Sequence, residues 1–88
     1  MPKIVIYTTA SCPYCANAKK LLDSKGLKYS EIAIDTDTNK RDEMMKLSGR
    51  RTVPQIFIND KPIGGFDALS ALNSSGQLDV LIKDEKLS

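Results

Sequence analysis

Two cysteines separated by two residues are the part of this sequence best suited to chemistry. Cys12 and Cys15 are the only cysteines of the 88-residue chain, and Pro13 and Tyr14 lie between them. A thiolate attacks the sulfur of a disulfide, and a neighbouring thiol can then displace the product held on the first. A pair of cysteines at this spacing therefore predicts thiol–disulfide exchange.

The pair lies where a strand pattern changes to a helix pattern. The apolar residues 4–7 predict a first strand over 3–8, and Pro13 suits the first helical turn, where no N–H is needed. The free N–H groups and the positive dipole end of that turn favour a thiolate at Cys12. Cys15 lies inside the helix, its Cα roughly 5 Å from that of Cys12. We therefore predict that Cys12 attacks and Cys15 resolves.

Composition and charge restrict the class of protein. Hydrophobic residues make up 41% and charged residues 27% of the chain, with a net charge of only +2. The length and these values predict a single domain over 1–88 that does not bind nucleic acid. The apolar runs are too short to span a membrane, and the polar residues 83–88 predict a frayed tail. The absence of histidine excludes Cys–His and Ser–His–Asp catalysis. We expect a cytoplasmic monomer with reduced thiols.

The rest of the pattern predicts an α/β fold. Besides 3–8, the predicted strands cover 28–34, 55–58 and 61–64. The predicted helices run from Pro13 to Gly26, from the turn 35–39 to Ser48-Gly49, from an N-cap at Asp67 to Gly76, and through a last turn with Leu78, Leu81 and Ile82. The predicted core residues of the middle elements are Tyr29, Ile32, Ile34, Met44, Leu47, Leu69 and Leu72. This order predicts a four-stranded mixed sheet, its first two strands parallel, with helices on both faces.

Other uses of the cysteines stay open on the residues alone. A structural disulfide is atypical of an intracellular chain, and a zinc site needs two further ligands that this sequence does not offer, so no metal site is predicted. An iron–sulfur cluster bridged between two chains by Cys12 and external thiols is the more serious rival, although Pro13 would stiffen the loop against it. A redox-inert binding module with incidental cysteines is the last alternative.

Two further motifs are individually modest. In Thr52-Val53-Pro54, the proline precedes a predicted strand, where a residue that cannot donate to the ladder is tolerated. In the segment 64–67, two glycines permit a tight turn or a close approach to a ligand, and the helix that Asp67 begins could hold a carboxylate at its N-terminal amides. Alone, each motif is explained more simply by an edge proline and by a capped turn.

Together, in this order and from Ile4 to Ile82, the motifs resemble the glutaredoxin family. The residues that carry the resemblance are 12–15, 52–58 and 64–67, and they look most similar to the small bacterial dithiol members. The resemblance implies a thioredoxin-like fold and a glutathione-dependent thiol–disulfide oxidoreductase. It also implies glutathione as cosubstrate, no tightly bound cofactor, and disulfide-containing or glutathionylated proteins as partners.

The resemblance further implies a glutathione site. Pro54 matches a cis-proline, and the backbone of Thr52 and Val53 would pair with the cysteinyl unit much as an added strand would. The segment 65–67 would hold the γ-glutamyl end, and Tyr14 would flank the bound tripeptide. Arg41 would approach the glycine carboxylate. The implied binding residues are Tyr14, Arg41, Thr52, Val53, Pro54, Gly65, Phe66 and Asp67.

One position departs from the family pattern. Many relatives have a lysine shortly before the first cysteine, and Thr9 stands at the matching place here. A cation near both the thiolate and a glutathione carboxylate is therefore missing. The helix N-terminus is expected to supply more of the stabilisation of the thiolate.

Overall fold

The computed structural model describes residues 3–83, which form four strands and four helices. In chain order these are β1 (Ile4–Thr8), α1 (Pro13–Ser24), β2 (Ser30–Ala33), α2 (Thr38–Ser48), β3 (Gln55–Ile58), β4 (Lys61–Gly64), α3 (Phe66–Ser75) and α4 (Gln77–Lys83). Within this part of the chain, no helix has the length and apolar character that crossing a membrane requires.

The strands form one mixed sheet in the order β2-β1-β3-β4. β1 runs parallel to β2 and antiparallel to β3, and β3 runs antiparallel to β4. Asn59 and Asp60 connect β3 to β4 with positive φ angles of 52° and 69°, a conformation that these two residue types tolerate in tight hairpin turns. The predicted mixed sheet, with its parallel first pair and its antiparallel hairpin, is confirmed.

Alternation along β1 and β3 separates two apolar layers. On one face the strands pack against α1, α3 and α4, and on the other against α2, so the predicted placement of helices on both faces is confirmed. The first layer contains Ile4, Ile6, Ala18, Leu22, Ile56, Ile58, Leu69 and Leu78. The second contains Tyr7, Ile34, Met44 and Phe57. Because β1 and β3 are covered on both faces, they form the rigid centre from which the functional loops extend.

Two predictions about individual residues were wrong. Leu47, predicted to share the buried stripe of α2 with Met44, is 56% exposed. It borders an open cleft of about 350 Å³ that residues of β1, β2 and β3 also line, so a gap separates it from the sheet. Asp67 is not the N-cap of α3: Gly65 holds that position, and its carbonyl accepts the first helical hydrogen bond, from the N–H of Leu69, at 3.1 Å.

Several element boundaries and the burial of some predicted core residues also differ from the predictions. β2 is shorter than predicted, because only Ser30–Ala33 align with the four β1 residues that pair with them. Tyr29 and Ile32 are partly buried rather than fully buried, while Ile34 is 2% exposed. Lys83, predicted to begin a frayed tail, is the last residue of α4, and the rest of that tail lies outside the described residues.

Candidate active site

Cys12 is the N-cap residue of α1. Its backbone is extended, with φ −96° and ψ 110°, and its Sγ accepts a hydrogen bond from the backbone N–H of Cys15 at 3.2 Å. The sulfur thus takes the place that a serine or aspartate oxygen usually has at a helix start. Pro13 follows at the first helical position and has no N–H to satisfy. A negative charge on Cys12 Sγ is therefore stabilised by an N–H donor and by the helix dipole.

Cys15 lies one turn deeper and is buried, with 1% of its surface exposed. Burial, and after it the hydrogen bond with Cys12, raises the pKa of the Cys15 thiol from 9.0 to about 12, against a smaller lowering by a backbone hydrogen bond with Thr9. In the reduced protein this thiol is protonated at neutral pH. The two cysteines therefore differ as predicted: one sulfur is partly exposed and capped by a donor, and the other is buried and neutral.

Alkaline pH is expected to destabilise the reduced protein. Cys15 has a raised folded pKa of about 12, and burial with a hydrogen bond to Glu43 also raises the pKa of Tyr7 to about 12. An acidic group whose pKa is higher in the folded than in the unfolded protein stabilises the fold. This contribution is complete below the unfolded pKa and is lost as pH rises through the folded pKa. The free energy of unfolding should therefore fall between about pH 9 and pH 12. Urea unfolding at pH 8 to 11 measures it, and Cys15→Ser should show a shallower fall; identical curves for the two proteins would contradict the burial of this thiol.

The loop before β3 brings a second segment to Cys12. The Val53–Pro54 peptide bond is cis, as the resemblance implied. The Cys12 thiol donates to the Val53 carbonyl, with 3.7 Å between Sγ and oxygen. The antiparallel pairing of β1 with β3 places Tyr7 opposite Gln55, so the loops that follow β1 and precede β3 meet at one edge of the sheet. Residues 41 positions apart in sequence therefore share one site.

Gln55 supports this segment and was not predicted as a functional residue. Its side chain is buried, and its Nε2 donates to the Thr52 carbonyl at 2.9 Å and to Thr52 Oγ1 at 3.2 Å. Both bonds link the start of β3 to the loop whose backbone faces Cys12. The available signal was a glutamine at the first position of an otherwise apolar strand.

The start of α3 closes the other side of the site. A Cβ at Gly65 would lie 3.4 Å from the Pro54 carbonyl oxygen, so a residue without a side chain lets the helix N-terminus approach the loop closely. Asp67 lies in the first turn of α3, where a carboxylate suits the dipole. The ring of Phe66 stacks on that of Tyr14, with centroids 6.4 Å apart and planes at 29°. This stack joins α3 to the cysteine motif.

Between these segments lies an open groove of about 400 Å³. Cys12 adjoins it through the Val53 carbonyl. All the predicted glutathione-binding residues except Arg41 line the groove, together with two residues that were not predicted, Arg50 and Ala68. The complete lining is Tyr14, Arg50, Thr52, Val53, Pro54, Gly65, Phe66, Asp67 and Ala68.

Arg41 lies on the exposed side of α2 and is not among the groove residues. Arg50 follows the left-handed C-cap Gly49 and leads into the Thr52 loop. Its backbone is held in place, since its N–H donates to Ser48 Oγ at 3.1 Å, and that hydroxyl donates to the Met44 carbonyl at 2.7 Å. The signal in the sequence was a basic residue two positions before the Thr-Val-Pro motif.

Within residues 3–83, no three His, Cys, Asp or Glu side chains lie close enough together to hold a metal ion. The site itself places two thiols beside a peptide-sized groove. One side of this groove presents the backbone of a loop, and the other presents a helix N-terminus with a carboxylate. Such a site can hold a short extended peptide with an ammonium group at one end.

Comparison with known proteins identifies the family. Residues 4–63 match the family model described as glutaredoxin. The chain belongs to the glutaredoxin family. It is 54% identical to glutaredoxin 3 of Escherichia coli (strain K12) over 83 residues, which cover 94% of this chain and all of that protein. As a glutaredoxin it is a glutathione-dependent thiol–disulfide oxidoreductase, in agreement with its paired cysteines.

Solved glutaredoxin structures share the fold. The solution structure of glutaredoxin from Brucella melitensis is similar with a TM-score of 0.81 and 48% identity, covering 92% of this chain and 88% of that one. The crystal structure of a buckwheat glutaredoxin–glutathione complex is similar with a TM-score of 0.83 and 31% identity, covering 92% of this chain and 76% of that one. The thioredoxin-like fold that the resemblance implied is confirmed.

Proposed function

We propose that this glutaredoxin reduces glutathione mixed disulfides and protein disulfides, with Cys12 as the nucleophile and Cys15 as the resolving thiol. The hydrogen bond from the Cys15 N–H to Cys12 Sγ, at 3.2 Å, is the observation that carries the proposal. It stabilises a thiolate on Cys12, while the side chain of Cys15 stays buried and protonated. The order of attack therefore follows from which sulfur is exposed and which carries the charge.

On a glutathionylated substrate, the Cys12 thiolate attacks the glutathione sulfur. The substrate's S–S bond breaks, the substrate leaves as a thiolate that takes a proton from water, and Cys12 now carries glutathione. A second glutathione thiolate then attacks this mixed disulfide, which releases oxidised glutathione and restores the Cys12 thiolate. Cys15 takes no part in this route.

On a protein disulfide, the Cys12 thiolate attacks one sulfur and forms a mixed disulfide with the protein substrate. Cys15 then loses its proton to solvent and attacks Cys12 Sγ, which breaks the mixed disulfide and releases the second substrate thiol. The Cys12–Cys15 disulfide is reduced in turn by two glutathione molecules, which leave as oxidised glutathione. Loss of the Cys12 negative charge in the mixed disulfide removes one of the causes that raise the pKa of Cys15.

Glutathione fits the groove beside Cys12 in an extended conformation. The Val53 backbone offers the pairing that an added strand would use. Asp67 and the first turn of α3 suit the ammonium and carboxylate of the γ-glutamyl end, and Tyr14 with Phe66 provides an apolar wall. With the ligand so placed, its sulfur lies on the side of the groove that adjoins Cys12. The buckwheat glutaredoxin, 31% identical to this chain, forms a complex with glutathione, which supports glutathione as the ligand of this groove.

Turnover of the mixed disulfide between glutathione and 2-mercaptoethanol tests the proposal. With glutathione, glutathione reductase and NADPH present, we expect rapid NADPH consumption that depends on this protein. Replacing glutathione and its reductase with thioredoxin reductase gives the matched control, and we expect little turnover there. No glutathione-dependent turnover by a folded, reduced sample would overturn the proposal.

We also propose that residues 1–88 act as one domain, as a monomer, in the cytoplasm, where the thiols stay reduced. The small net charge of +2 and the open groove support encounters with varied protein substrates. Reduced cytoplasmic glutathione would drive both routes.

A further inference from the structure

We propose that Arg50 binds the glycine carboxylate of glutathione in this chain. It would thereby supply the cation that many relatives have as a lysine at the position of Thr9. The inference rests on the proposed function, since it concerns how the groove holds its cosubstrate. It differs from the assignment of that carboxylate to Arg41, which the resemblance implied.

The position of Arg50 supports the proposal. Among the described residues that line the groove, Arg50 is the cation, and Asp67 is the carboxylate. Thr52 and Val53, whose backbone would pair with the cysteinyl unit, follow Arg50 closely in sequence. Arg41 is on the exposed side of α2 and does not line the groove.

The backbone at Arg50 is fixed, although its side chain is exposed. The Ser48 hydroxyl links the Arg50 N–H, at 3.1 Å, to the Met44 carbonyl, at 2.7 Å, in the last turn of α2. Gly49 ends the helix with a φ of 72° and directs the chain toward the groove. Only the guanidinium itself must be ordered when a ligand binds, which limits the entropic cost of a bidentate contact.

The charges of the groove complement those of glutathione. The γ-glutamyl end of glutathione carries an ammonium group, which suits Asp67, and a carboxylate, which suits the amides at the start of α3. The glycine end carries a carboxylate alone, which suits a guanidinium with two parallel donors. An extended tripeptide with its cysteinyl unit against Val53 has its two ends on opposite sides of that unit. Arg50 and Asp67 are thus assigned to different ends of the ligand.

Blocking the glycine carboxylate separates this role from a structural one. The two substrates are disulfides of a fluorogenic thiol, one with glutathione and one with glutathione esterified at its glycine carboxylate. Release of the fluorescent thiol is followed with glutathione as reductant. For Arg50→Gln we expect KM for the unmodified substrate to rise about 3- to 10-fold with kcat nearly unchanged. For Arg50→Gln we expect the KM for the ester to equal its KM for the acid. For the wild-type protein we expect KM to rise by the same factor, about 3- to 10-fold, when the ester replaces the acid.

Arg51→Gln is the matched control, because it removes the same charge from the adjacent residue, which does not line the groove; we expect its kinetics to match wild type on both substrates. A penalty for Arg50→Gln of equal size on acid and ester would show a structural effect and overturn the proposal, as would no penalty at all. If Arg41→Gln instead raised KM for the acid but not for the ester, Arg41 on α2 would be the residue that binds the glycine carboxylate. Failure of the wild-type protein to turn over either substrate would count against the proposed function, not against this assignment alone.

Discussion

Cys12→Ser is expected to abolish the reduction of both glutathione mixed disulfides and protein disulfides, by at least about 10³-fold. Cys15→Ser should instead keep deglutathionylation near the wild-type rate and lose the route through the internal disulfide. The two variants differ by one atom each from the native protein, so the contrast between them reports the roles of the two sulfurs.

The expected loss at Cys12 follows from chemistry and position together. A serine hydroxyl at the N-cap would accept the same N–H of Cys15 that Cys12 Sγ accepts, so α1 should begin normally. An alcohol is not ionised at neutral pH and does not exchange with disulfides, and therefore the step that begins both routes cannot occur. Cys15 is 1% exposed, and burial, the largest cause of its raised pKa, does not depend on Cys12, so Cys15 cannot replace Cys12 as the attacking thiol.

Two assays read the result. Turnover of a small glutathione mixed disulfide measures the first route, and reduction of a protein disulfide measures the second, in which the Cys15→Ser variant should slow by ~10-fold or more because an intermolecular thiol replaces a positioned one. Far-UV circular dichroism confirms that both variants are folded. If Cys15→Ser lost deglutathionylation, or if Cys12→Ser retained it, the assigned order of attack would be wrong.

Much of this site could be predicted because its signals are local. The cysteine pair, Pro13 at a helix start and the alternating apolar strands each depend on residues close together in sequence. Their assembly at one edge of the sheet was implied by the resemblance alone, and the pairing of β1 with β3 that produces it is visible only in the structure. The exact strand bounds of β3 and β4 were predicted for the same reason, since the Asn59-Asp60 turn separates them clearly.

The features that were missed depend on tertiary contacts. Gln55 has a role only because the Thr52 loop folds back over the start of β3. Arg50 lines the groove because Gly49 ends α2 where it does, whereas Arg41 has an equally suitable charge but lies on another surface. Leu47 was assigned to the core by helical spacing alone, yet an open cleft separates it from the sheet. Spacing predicts which face of a helix a residue occupies, but not how closely the opposing layer packs against it.

Ile6→Ala is expected to lower the free energy of unfolding by about 2–5 kcal/mol. Ile6 is in β1, between β2 and β3, with none of its surface exposed, and it faces the layer formed with α1, α3 and α4. Its cross-strand partner on β3 is Ile56, also fully buried. Covering helices leave little freedom for collapse around the deleted atoms, so the cavity adds its cost to the lost burial. For a domain of this size the loss is a large fraction of the total stability.

Urea unfolding measures this loss, and Ile6→Val provides the graded control, with an expected cost of about 0.5–1.5 kcal/mol. The substitution lies away from the loops that carry Cys12 and Pro54, and therefore kcat per folded molecule should stay close to that of wild type at low temperature and without urea. A cost for Ile6→Ala below that expected for Ile6→Val would contradict the central position of β1. A large loss of kcat in a fully folded Ile6→Ala sample would show instead that the sheet's packing tunes the geometry of the two sulfurs.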